Sequence, residues 1–147
     1  IHYNGWGDYP NPEGFTNSRQ THGLFEGAFT SRVASLQSVE AGMAAPVLTG
    51  FDLKGRTVAY LKTTLGQVIP FYQLEKAGGF RDANGAPDPR GAAFVNARLS
   101  AGAAELRDLT VLAWRASGDA SIGWPAVKVA EVEAGSVDPW LSMIGED

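Results

Sequence analysis

Chemistry needs reactive side chains held close together, so the residue types come first. The 147 residues include two histidines and no cysteine. Without cysteine there is no disulfide, no thiolate nucleophile and no Cys-ligated zinc. His2 and His22 fall in or beside residues 1–23, a stretch with no regular period. A catalytic histidine must be held rigidly by its neighbours. An irregular arm does not do that, so both are expected to be solvated or locally hydrogen-bonded. No G-x-S-x-G elbow accompanies them. Asp82-Ala-Asn84-Gly-Ala-Pro-Asp88 is metal-like in composition, and its oxygens would suit Ca2+. It lacks the third ligand and closing glutamate of an EF-hand. The same residues favour turns, so a turn is the expectation and no metal is assigned. Glu26, Glu40, Glu75, Glu105, Glu131 and Glu133 are dispersed. A glycosidase needs two carboxylates converging across a cleft, which this spacing does not establish. Gly78-Gly79 is too short to cradle a phosphate, and Lys76 precedes it. The expectation is a protein that is not an enzyme, with no catalytic residue and no cofactor.

Aromatic residues carry the remaining signal. Tyr3, Trp6, Tyr9 and Phe15 lie in the arm, and Trp140 and Leu141 in the C-terminal tail. Disordered linkers are usually poor in aromatics. A buried ring removes roughly 150–250 Å2 from water, so a few of them can hold a neighbour. These six residues are the expected partner-binding set. The arm either wraps its own domain or docks on a neighbouring subunit; the sequence leaves both open. Trp124, followed by Pro125, is expected to fill a core. Exposed Tyr and Trp could instead stack on sugar rings, which gives the alternative reading of a carbohydrate-binding or adhesion module.

Elements must position these residues. A chain of this length buries roughly two-thirds of its unfolded surface, enough for an ordinary core. Net charge is −4 and the isoelectric point about 5.1, with 19% charged residues and 18 glycines. No basic cluster is present, which disfavours nucleic acid and anionic membranes as partners. No apolar run of about twenty residues exists, and the first ten residues lack the charged and apolar regions of a signal peptide. Residues 39–74 read as a spine of short apolar runs separated by Gly50, Gly55 and Gly66. In residues 57–63, Val58 and Tyr60 alternate with Thr57, Ala59, Leu61 and Thr63, a period of two. Pro70 lacks an amide donor and places its segment at a sheet edge or bulge. Residues 76–91 read as the tip of a long hairpin, and residues 92–99 and 109–116 as strands. Residues 100–108 allow a helical turn, and residues 126–133 form a strand with a β-bulge. Residues 29–43 fit either a helix, through Phe29, Val33, Leu36 and Met43, or an extended segment. The predicted fold is mainly β: a small antiparallel β-sandwich or barrel, with an extended arm (1–23), a β domain (24–135), a tail (136–147) and short helical turns.

The arm, the segment from Phe29 to Ala34, and Val39-Glu-Ala-Gly-Met43 leading into short strands resemble small capsid decoration (cement) proteins of tailed bacteriophages. The resemblance is one of style and carries no functional residues. It implies a non-enzymatic structural protein of the virion, on a capsid surface or tail, otherwise extracellular. Such a protein clamps capsid or other virion subunits and is commonly a homo-oligomer.

Overall fold

A computed structural model describes residues 10–18, 20–50 and 52–140. The architecture is mainly helical, which overturns the predicted β-sandwich or barrel. In order, the elements are a π-helix (Gly23–Phe29), α1 (Thr30–Val33), α2 (Leu36–Gly42), α3 (Leu53–Leu65) and α4 (Val68–Lys76). A two-strand hairpin follows, β1 (Asp82–Ala83) and β2 (Ala86–Pro87), then α5 (Pro89–Ser117). A second hairpin, β3 (Ser121–Ile122) and β4 (Val127–Lys128), leads into α6 (Val129–Glu133). The chain divides into two compact units. One comprises Ile1–Ala45 with Lys54–Glu105, the other Pro46–Leu53 with Leu106–Asp147.

The first unit is built on aromatic rings. Phe25 and Phe29, four residues apart, meet Phe80 with ring centroids 4.8 and 5.6 Å away. Phe71 stacks on Phe80 at 5.0 Å, and Phe94 completes the cluster from α5. Edge-to-face and offset pairs of this kind add stabilisation beyond area burial. The arm contributes as well: Phe15 is buried and lies stacked on Tyr72 at 5.6 Å. Asn11 pins that position by accepting from the Phe15 amide and donating to its carbonyl, both at 2.7 Å.

Local chemistry sets the helix boundaries. Asp88 stands just before Pro89, the first residue of α5, and its Oδ1 accepts the Arg90 amide at 2.9 Å. Asp as N-cap with Pro at the first helical position is a strong start signal, because both deal with amides that lack a helical acceptor. Pro70 is in the first turn of α4, where its missing donor costs nothing. Ser35 caps α2 by accepting from Ser38. Gly91 lets the start of α5 approach the Gly79 backbone. A Cβ there would collide with the Gly79 carbonyl and lie 2.8 Å from Phe29 Cζ.

The differences from the sequence reading have definite causes. Residues 57–63 alternate, but Val58, Leu61 and Leu65 also recur at helical spacing, and the segment is α3. Residues 92–99 and 109–116 belong to the single helix α5, whose alanines and leucines satisfy both periods. Residues 29–42 are helical except for the extended pair Ala34 and Ser35, and Met43 is the extended C-cap of α2. The expected long hairpin at 76–91 shrinks to β1 and β2, turning at Asn84 (φ 56°) and Gly85 (φ 81°). Two positive φ values define the turn that Asn-Gly favours. The expected strand at 126–133 is β4 followed by α6.

In the second unit Asp108 is buried. Its Oδ2 accepts the Val47 amide at 2.9 Å, and its Oδ1 accepts from Arg107. Leu112 is buried, whereas Leu106, Trp114, Trp124 and Trp140 are exposed.

Candidate functional site

Within the first unit, α3 packs against α5 by its polar side. Arg56 donates to Glu105 through Nε at 3.2 Å and Nη2 at 2.8 Å. Tyr60, one turn on, rests over Gly102: a Cβ there would lie 3.3 Å from its hydroxyl. A groove of about 280 Å3 runs beside these contacts, lined also by Thr63, Arg98 and Ala101. No residue of α3 is buried. The opposite side carries Val58, Leu61 and Leu65 at i, i+3 and i+7, and all three are exposed, Leu65 to 71%. An amphipathic helix ordinarily turns its apolar stripe to the core and its charges to water. Helix α3 does the reverse.

A second constellation lies on the π-helix. His22 is its N-cap residue, and Nδ1 is 3.3 Å from Glu26 Oε2. Both side chains are about half exposed, while Phe25 and Phe29 of the same segment enter the aromatic core. The Thr30 hydroxyl donates to the Phe25 carbonyl at 2.7 Å, and the Thr30 amide donates to the same oxygen, five residues back. A π-helical turn is uncommon and often marks a functional position. His22 is therefore mounted on a packed helix and not on a loose arm.

The acidic cluster is spent on structure. Asp82 pairs with Arg32 at 2.8 Å, and Asp88 with Arg90 at 2.7 Å. The Arg90 side chain, then its amide, hold the Asp88 carboxyl down at about 2. Burial, with Glu75 adding, pushes the Tyr72 phenol above its ordinary value. Among the described residues no group of three or more His, Asp or Glu is placed to hold a metal, and no helix is long and apolar enough to cross a membrane.

Two of the six expected partner-binding residues, Phe15 and Trp140, fall within the described residues. Phe15 is a core residue and is not available to a neighbour. Trp140 is 66% exposed. Tyr3, Trp6, Tyr9 and Leu141 lie outside the described residues. Trp124, expected in a core, is 84% exposed. The outer stripe of α3 and the His22–Glu26 pair were missed. The i, i+3, i+7 spacing and the four-residue interval carried the signal for each.

No protein-family model, curated protein or solved structure matches this chain. The likeness to capsid decoration proteins rests on the arm, Phe29–Ala34, and Val39–Met43 leading into short β segments. Those segments are helical, so the fold lends it no support.

Proposed function

We propose that this chain is a non-enzymatic structural subunit that docks on neighbouring copies of itself through the outer stripe of α3. The observation that supports this is the inverted helix: polar contacts inward through Arg56 and Tyr60, apolar Val58, Leu61 and Leu65 outward. Val58, Leu61 and Leu65 are 43%, 58% and 71% exposed, so covering them contributes roughly half of the 1.5–3 kcal/mol that full burial of each would give, which offsets part of the cost of association. The virion lattice expected from the sequence stays in the proposal as the setting and rests on the sequence alone. The chain has no cysteine, so Leu61→Cys introduces a single thiol. A short bis-maleimide should then yield covalent dimers of the Leu61→Cys protein. Absence of cross-linking there, with efficient labelling of the thiol, would count against the reading.

A second reading rests on His22 and Glu26. An imidazole and a carboxylate four residues apart on one helix face match the spacing at which helices present metal ligands. Zinc takes three protein ligands in catalytic sites and four in structural ones. This pair is therefore a half-site, and His2 is the chain's other imidazole. On this reading the pair supplies two ligands to a divalent metal ion. Calorimetric titration with Zn2+ tests it: binding that is lost in both His22→Ala and Glu26→Gln supports a site, and binding indifferent to both excludes one there.

A further inference from the structure

We infer that the groove between α3 and α5 is a binding site for a small organic phosphate, with Arg98 as its principal contact. Arg98 lines this groove of about 280 Å3 and also an adjoining cavity of about 360 Å3 beside the π-helix. Its guanidinium makes no ion pair or hydrogen bond with any described residue. Each cavity contains one carboxylate, and both are engaged. Glu105 accepts two hydrogen bonds from Arg56, and Glu26 lies against His22.

The charge count in the groove favours an anion. Arg56 and Arg98 contribute two positive charges and Glu105 one negative, which leaves an excess of one positive charge in a partly enclosed space. A guanidinium presents its five donors in a planar fork that matches phosphate and carboxylate oxygens. Tyr60 lines the same groove with its hydroxyl near Gly102, and Ala59 and Ala101 give the groove an apolar wall. A phosphate monoester carries about −1.5 to −2 charges on three terminal oxygens at pH 7, against −1 on two for a carboxylate, so it gains more from the two guanidinium groups. The apolar wall suits the organic part of a phosphate monoester. This site lies on the side of α3 away from Val58, Leu61 and Leu65, so it stands or falls apart from the docking proposal.

The test is a titration of the full chain with phenyl phosphate, inorganic phosphate and benzoate, following the side-chain Nε–H resonances of the arginines by NMR. Phenyl phosphate should bind with a dissociation constant in the range of about 1 mM or tighter, inorganic phosphate more weakly and benzoate most weakly, with Arg98 shifting most. Arg98→Gln should weaken phenyl phosphate binding by about tenfold or more, the loss of one charge-assisted contact. Arg98→Lys, which keeps the charge but not the fork, should fall between. Both variants should keep the wild-type melting temperature, because Arg98 bonds to nothing in the described structure. Undiminished binding in Arg98→Gln, shifts at other arginines only, or benzoate binding as tight as phenyl phosphate would each overturn the assignment.

Discussion

Arg56→Gln is the perturbation that most directly probes how α3 is held. The Arg56–Glu105 contact is a two-point, charge-assisted pair whose side chains are 19% and 21% exposed. Exposed ion pairs contribute roughly 0.2–1 kcal/mol, and hydrogen bonds to charged groups about 1.5–3 kcal/mol. A pair four-fifths buried falls between those limits. Glutamine is neutral and bonds through a single nitrogen, so the expected loss is about 1.5 kcal/mol. Helix α3 buries no residue, and besides this pair it rests on α5 through Tyr60. The loss should therefore fall on α3 and not on the aromatic core. About 1.4 kcal/mol corresponds to tenfold in a local opening equilibrium, so α3 amides should exchange with deuterium roughly tenfold faster in the variant. Amides of α5 around Val95, which is buried, should keep their wild-type rates. Glu105→Gln should do the same, and the double variant should add little, because both changes remove one interaction. Unchanged exchange in α3, or equal acceleration throughout α5, would refute the view that α3 is tethered by its polar face.

Two other predictions concern the start of α5. Gly91→Ala gains roughly 1 kcal/mol of helix propensity but must displace the Gly79 backbone and Phe29, an overpacking cost nearer 3 kcal/mol. The clash wins, and thermal melting should fall by about 4–8 °C. Asp88 titrates at about 2 when folded, below its unfolded value near 4, because Arg90 bonds its charged form. Its contribution is thus fully present above pH 4 and is lost as pH falls toward 2. Asp88→Asn should lower stability at pH 7 and flatten the fall in melting temperature between pH 4 and 2.

Punctuation was the most legible part of the sequence. Asn84-Gly85 turns where its chemistry requires, and Asp82 and Asp88 pair with Arg32 and Arg90. The periodic segments misled because short runs of Ala, Val and Leu satisfy two periods at once. In residues 57–63 the β-branched residues favoured a strand, but Val58, Leu61 and Leu65 lie on one helix face. Helix α5 gives the plainer lesson: Asp88-Pro89 is a helix start, and reading it as one would have joined residues 92–116 into a single element. The π-helix had no local signature, because the Thr30 bonds to the Phe25 carbonyl depend on both phenylalanines reaching one core. His22 and Glu26 stand four residues apart in the sequence, but only the helix that carries them brings the two side chains together. The arm itself proved in part to be core, through Phe15.

Sedimentation of the purified chain across a range of concentrations tests the docking of α3 most directly. The wild-type protein should sediment as an oligomer. Leu61→Asp combined with Leu65→Asp should sediment as a monomer with unchanged helical circular dichroism, since both side chains are exposed in the isolated chain. A monomeric wild type at every concentration, or an oligomer that survives both substitutions, would contradict the account.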